Sequence, residues 1–267
     1  MFNRPMLLLP FFLCLLSAAA LAQTTNSEQP IDISADKALE WHRAESQYIA
    51  TGNAVITQGN VTIRAAKIVA DYRDTPKSGT EIYRLTAIDA VTIENQGSTA
   101  SGDHLVYEVD SGLATMTGHN LTMTAPDQTV TATEKFEYNV TAATLNAVGN
   151  AKVTRTGDTL SANTISAKLK EDKDGKQVLD RLEAIGNVVI TTPAETLTGA
   201  RGLYSASSNT AEITGGVTIK RDQNILTGDR GSIDLTSHVS RIFAAESADG
   251  PAEGRVHGTF FPAKKTP

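Results

Sequence analysis

Cysteine is almost missing from this 267-residue chain: the only one is Cys14, inside an apolar N-terminal run. Disulfides are thereby excluded as a source of stability, even though the front of the chain reads as an export signal. Aromatic residues make up only 5%, too few for the stacking platforms that hold single-stranded nucleic acid. A basic excess is lacking too. There are 24 Lys and Arg against 30 Asp and Glu, a formal net charge of -6, so a phosphate backbone finds no electrostatic partner and nucleic acid is not an expected ligand. Long hydrophobic runs are confined to Met6–Leu16, and nothing later approaches the roughly 20 apolar residues of a membrane-spanning helix.

Constellations that would carry catalysis or hold a metal are missing as well. His42, His104, His119, His238 and His257 are scattered without a ligand spacing. Ser34-Ala35-Asp36-Lys37 has a Ser-x-x-Lys spacing without the further motifs that would complete a penicillin-recognising site. Glu171-Asp172-Lys173-Asp174-Gly175 lacks the alternating ligands of a calcium loop and reads as a hairpin tip. No enzyme activity, cofactor or metal is expected.

What is there begins with an address. Arg4, the apolar run and Ala20-Leu21-Ala22 form a secretory signal with the cut expected after Ala22. Residues 23–30 make a short polar segment. The mature chain then has no cysteine and must rest on sheet pairing and aliphatic burial.

The strongest signal is internal repetition. One phrase ends in Ala or Gly and recurs as Ile33-Ser34-Ala35, Ile63-Arg64-Ala65, Ala100-Ser101-Gly102, Val130-Thr131-Ala132, Leu160-Ser161-Ala162, Leu197-Thr198-Gly199 and Leu226-Thr227-Gly228. Its third positions lie 30, 37, 30, 30, 37 and 29 residues apart, and each long interval holds a polar insertion, at 73–79 and 170–176. A second phrase keeps step with it: Gly52-Asn53-Ala54-Val55-Ile56-Thr57, Gly118-His119-Asn120-Leu121-Thr122-Met123, Gly149-Asn150-Ala151-Lys152-Val153-Thr154, Gly186-Asn187-Val188-Val189-Ile190-Thr191 and Gly215-Gly216-Val217-Thr218-Ile219-Lys220, with Ile88-Asp89-Ala90-Val91-Thr92-Ile93 a degenerate copy. Between the phrases apolar residues alternate at period two among Thr, Val and Ile, which predicts strands. The reading is all-β: about seven stacked units of roughly 30 residues over 31–243, none able to bury its apolar face alone, and a disordered tail over 244–267. The stack should extend roughly 35 to 70 Å at the usual strand spacing. Ile31, Ile33, Ile68, Val91, Ile93, Leu105, Tyr107, Phe136, Tyr138, Ile165, Leu203 and Ile219 are expected to form an aliphatic stripe on its concave face. Trp41 should seal an open end.

The phrases Gln29-Pro30-Ile31-Asp32-Ile33-Ser34-Ala35-Asp36, Ala50-Thr51-Gly52-Asn53-Ala54-Val55-Ile56-Thr57 and Ile63-Arg64-Ala65-Ala66-Lys67-Ile68-Val69, in that order and spacing, resemble the opening of the LptA or OstA-like family of periplasmic lipopolysaccharide-transport proteins. Gly102-Asp103-His104-Leu105-Val106-Tyr107 and Thr117-Gly118-His119-Asn120 continue the resemblance, although this chain carries extra units. The resemblance implies an elongated, open, twisted β-jellyroll, or β-taco, whose interior shields the acyl chains of lipopolysaccharide between the inner and outer membranes. It places the lipid-facing residues at Ile31, Ile33, Ile93, Tyr107 and Val109. It also implies assembly by strand addition, with Ile31, Asp32 and Ile33 on the N-terminal edge facing an inner-membrane LptC-like component. Ile233 and Leu235, on a last strand around Ser232–Arg241, would face an outer-membrane LptD-like component, and a head-to-tail homo-oligomer is a further implied arrangement. The competing reading is a structural β-solenoid or adhesin-like exported repeat protein with a sealed core and no ligand.

Overall fold

The alternating Thr, Val and Ile segments fold as strands. The computed structural model describes residues 30–76, 79–173, 177–234, 236–237, 239–245 and 254–261, and every regular element among them is a strand. In chain order these are β1 (Asp32–Ser34), β2 (Ala38–His42), β3 (Gln47–Gln58), β4 (Val61–Thr75), β5 (Gly79–Asn95), β6 (Ser98–Glu108), β7 (Leu113–Thr117), β8 (Leu121–Ala125), β9 (Gln128–Ala132), β10 (Lys135–Asn139), β11 (Thr144–Arg155), β12 (Asp158–Glu171), β13 (Gln177–Thr191), β14 (Thr196–Ser205), β15 (Thr210–Arg221), β16 (Asn224–Asp234), β17 (Val239–Phe243) and β18 (His257–Thr259). The expected signal with its cut after Ala22, Cys14, Leu235 and His238 lie outside the described residues.

Every pairing is antiparallel, and most long strands take part in two separate ladders. The register of β3 against β4 shifts between Thr51 and Ala54, of β5 against β6 between Ile88 and Val91, and of β11 against β12 between Val148 and Ala151. It shifts again between Ile185 and Val188 and between Thr214 and Val217. These bulges are the Gly-Asn phrase. Gly52 and Asn53 stand at φ 86° and 43°, Gly149 and Asn150 at 86° and 43°, so two successive residues in the left-handed region turn the strand sharply. A side chain at Gly52 would also strike Lys37 at 2.5 Å.

The turn divides the sheet into two leaves joined along a crease. The first leaf runs β1, β3, β4, β5, β6, β8, β9, β11, β12, β13, β14, β15, β16, β18. The second runs β2, β3, β4, β5, β6, β7, β10, β11, β12, β13, β14, β15, β16, β17. At the usual strand spacing each leaf is about 60 Å across. The small third residue of the other phrase lies at the crease, where the leaves come closest: Ala65, Ala132 and Ala162 are buried, and a Cβ on Gly199 would meet Ile213 at 2.6 Å.

The core is the facing surface of the two leaves. On the first, Ile33, Ile56, Ile63, Ile93, Ala100, Met123, Val130, Val153, Leu160, Ile190, Leu197, Ile219 and Leu226 stand opposite one another from strand to strand. On the second, one inward row passes from Trp41 and Tyr48 through Leu85, Tyr107, Tyr138, Leu182 and Tyr204 to Ile233 and Ser240. Nearer the crease, another leads from Leu39 and Ala50 through Leu105, Phe136, Ile165 and Ile213 to Ile242.

Three expectations need correction. Ile233 is not on an edge: it pairs with Ala211 on one side and Ser240 on the other. The reason is a turn in which Asp234 Oδ1 accepts the N–H groups of Thr236 and Ser237 at 2.9 and 3.0 Å, folding the chain back to add β17 outside β16. The segment after Ala244 includes an ordered strand, β18, whose Gly258 stands opposite Leu226. Leu203 belongs to the outer face, between Glu183 and Glu212, and Tyr204 points inward instead.

Candidate functional site

Between the leaves the inward rows enclose two apolar cavities, one in each half of the molecule. The N-terminal cavity, of about 130 Å³, is lined by Ile31, Ile63, Ile93, Tyr107, Phe136 and Tyr138 among others. Strand alternation brings these side chains to one place: Ile63 and Ile93 are directly paired, and Tyr107 and Tyr138 flank Ala114 from either side. Burial pushes the Tyr107 phenol up, and the Tyr138 phenol is pushed up to about 12 by burial first and by neighbouring Tyr107 second. Both rings therefore stay neutral and belong to the apolar lining at neutral pH.

Of the five residues expected to face lipid, Ile31, Ile93 and Tyr107 meet in this cavity. Ile33 heads the aliphatic row of the first leaf and packs on the core. Val109 does not join them. β6 ends at Glu108, so Val109 sits in the following turn and its N–H donates to the Tyr83 carbonyl at 2.9 Å.

The C-terminal cavity, about 190 Å³, was not anticipated. Leu160, Ile190, Leu197, Ile213 and Ile219 line it. Ile190 and Ile219 hold the place in their phrases that Ile56 holds in the first, so the repeat itself was the available signal. The connection Thr192–Glu195 tucks over this cavity and contributes all four of its residues to the lining. It is held by Thr192 Oγ1, which accepts the Ala194 and Glu195 N–H groups. The Glu195 carboxylate, with its side chain 12% exposed, also faces Arg221 Nη2 at 3.4 Å.

The two ends of the leaves differ from the flanks. Large exposed apolar side chains gather there: Ile31, Leu39 and Trp41 at the start, Val239, Val256, Phe260 and Phe261 at the finish. Trp41 stacks on Tyr48 with ring centroids 5.7 Å apart, donates from Nε1 to the Tyr72 hydroxyl at 2.8 Å, and carries the Arg43 guanidinium 4.1 Å above its ring. It closes the first end of the second leaf yet remains half exposed. Among the described residues β1 pairs on one side only, with β3, and β2 likewise, so Asp32 and Ile33 lie on an edge of the described sheet. His42 and His119 serve the surface, His42 against Glu40 at 2.6 Å and His119 against Asp103 at 2.8 Å.

The family described as LptA/(LptD N-terminal domain) LPS transport protein matches residues 32–142 and, in a second match, 134–239. An uncharacterized protein of Rhizobium meliloti (strain 1021) is 30% identical over 118 residues, which is 41% of this chain and 61% of that protein, less than two thirds of its length. A solved structure of LptH, the LptA homologous periplasmic component of the conserved lipopolysaccharide transport device from Pseudomonas aeruginosa, aligns over 89% of this chain and 99% of that one, at 11% identity and a TM-score of 0.23.

Proposed function

Because the chain belongs to the LptA/(LptD N-terminal domain) family of LPS-transport proteins, matched twice in succession across residues 32–239, we propose that the groove between its leaves carries the acyl chains of lipopolysaccharide. The observation that supports this most is the first leaf's inward row, aliphatic without a polar interruption from Ile33 to Leu226 apart from the thioether of Met123. Each acyl methylene kept from water is worth about 0.8 kcal/mol, so a carrier needs a long apolar trough and little else. The cavities in both halves give that trough space. A sealed core with no ligand is disfavoured by the apolar space left between the leaves in both halves.

The periplasm is the compartment this function requires, with cleavage after Ala22 releasing the chain there. The free edges of β1 and β2 face an LptC-like inner-membrane component, and β17 with β18 face an LptD-like outer-membrane component. Photo-crosslinking from unnatural residues at Ile33, Tyr107 and Ile219, with exposed Lys152 on β11 as the outward control, tests the groove. Lipopolysaccharide adducts are expected at the three inward sites and not at the control. Adducts at none, in cells that depend on the protein for outer-membrane integrity, would rule the groove out.

A further inference from the structure

Two residues outward from the aliphatic row of the first leaf, the inward face turns polar. This lip reaches the N-terminal cavity at Gln58 and the C-terminal one at Thr192, Glu195 and Arg221. Between the cavities it passes through Asn95, Ser98, Gln128, Arg155 and Asp158, interrupted by Val61 and Ala125. The lip of the second leaf is apolar instead, at Ile82, Val140, Leu169, Leu179 and Ala206, all packed on the core. Asn95, Gln128 and Asp158 are 2%, 5% and 7% exposed. Both amide atoms of Asn95, both of Gln128 and Oδ1 of Asp158 find no hydrogen-bond partner among the described residues. The three side chains share the face of Ile93, Val130 and Leu160, two positions away, and so point between the leaves. Buried polar groups without partners oppose closure of an apolar seam.

We infer that this seam from Asn95 to Asp158 seats the polar root of the acyl ligand, the amide and hydroxyl groups by which a fatty chain is joined to an amino sugar. This rests on the acyl-carrying groove above and adds the chemistry of the chain's attachment to it. The ligand class follows from the atoms left over. A side-chain amide donates and accepts at once, so Asn95 and Gln128 complement a secondary amide or a hydroxyl, which do the same. Asp158 accepts from a hydroxyl or an amide N–H. A phosphate only accepts, and the two guanidiniums of the lip are already held, Arg155 by Asp127 at 3.3 Å and Arg221 by Glu195 at 3.4 Å. The carboxylate of a plain fatty acid likewise offers acceptors alone. A ligand that parts the lips and supplies both kinds of partner turns an unfavourable closed seam into a satisfied one.

Two ligands of equal chain length test this, dodecanoic acid and N-dodecanoylglucosamine, each displacing a fluorescent fatty acid from the full chain below its micelle-forming concentration. The double substitution Asn95→Leu and Gln128→Met nearly keeps volume and removes the unpartnered amide atoms of both residues. It should weaken N-dodecanoylglucosamine about tenfold, the worth of one or two net hydrogen bonds, and leave dodecanoic acid within about twofold. The urea midpoint should hold or rise, because apolar groups of the same shape suit a buried site better than unpaired amides. Gln128→Met alone should weaken N-dodecanoylglucosamine by about threefold. Equal changes for both ligands, or none for either, would overturn the seam and leave the groove standing. A lowered urea midpoint in the double variant would overturn it too, by showing that the amides hold the fold. A wild-type chain that binds neither ligand would overturn the groove itself, and the seam with it.

Discussion

The two halves of the groove share their inward rows and fill them differently. In the N-terminal half the second leaf sets Tyr48, Ile68, Leu85, Leu105, Tyr107, Met116, Phe136 and Tyr138 beside Ala50, Ala70, Ala87 and Ala114; in the C-terminal half Leu145, Ile165, Leu182, Tyr204, Ile213 and Ile233 stand beside Ala147, Ala167, Ala184, Gly202, Ala211 and Gly231, so more of its inward positions are small and two have no side chain. Where the side chains shrink, the enclosed space grows, from about 130 to about 190 Å³. The covering differs too. The buried Tyr138 and the half-buried Tyr107 help line the first cavity, whereas the second is roofed by Thr192–Glu195 and its ion pair to Arg221. A repeat that fixes the backbone therefore leaves width and lining to be set locally, by side-chain size at equivalent places.

The largest test of this contrast is truncation of one leucine in each half. Leu105→Ala and Leu182→Ala, both sites 2% exposed, should cost about 2–5 kcal/mol in urea denaturation. The looser C-terminal site should give the smaller loss, and equal losses would break the comparison. Next comes alkaline titration, which addresses the N-terminal phenols. Tyr138 releases its proton near 10.0 when unfolded and near 12 when folded, so between these values the unfolded state binds fewer protons. Stability then falls as pH rises, by up to about 1.4 kcal/mol per unit, and is flat in this respect below pH 10. Tyr138→Phe should remove most of that slope.

Smaller gains are expected from two substitutions that sharpen the contrast. A Cβ on Gly202 would lie 3.5 Å from Val188 and 3.7 Å from Ala184, ordinary contact distances. Gly202→Ala should therefore raise stability by about 0.4–1 kcal/mol and reduce uptake of a fluorescent fatty acid in the C-terminal half. In the N-terminal half the crease copy at Asp89-Ala90 holds two non-glycine residues at φ 62° and 52°, a conformation costing about 1–2 kcal/mol for an ordinary side chain. Ala90→Gly should recover about 0.5 kcal/mol once glycine's greater chain entropy is counted, measured as a shift in the urea midpoint.

Most of the all-β fold was legible from period-two alternation, and the two phrases turn out to be the two sides of the crease: the Gly-Asn bulge and the small residue facing it. Ile93 and Tyr107 could be placed inside because their strands alternate without interruption. Val109 could not, since nothing in the alternation marks Glu108 as the last paired residue. Leu203 was placed on the wrong face because the bulge between Thr198 and Arg201 shifts the pairing locally. The true C-terminal edge was hidden by a turn that depends on one side chain, Asp234, and by a tail strand of three residues too short and too polar to announce itself. The C-terminal cavity was invisible for a different reason: it comes from what glycine and alanine leave out across several strands at once.

The crease is also a statement about how the groove can open. The leaves are not hinged on a single connection; most long strands pass through both, and every second one, β3, β5, β11, β13 and β15, carries a pair of left-handed residues at the bend. The structure is closer to a ring-bound book than to a clam. The bend at Asp89-Ala90 is the one made without a glycine, and because neighbouring strands are paired on both sides of the crease, the angle between the leaves is set jointly along the row. The width of the groove is therefore a property of the whole row of bends and not of any one of them.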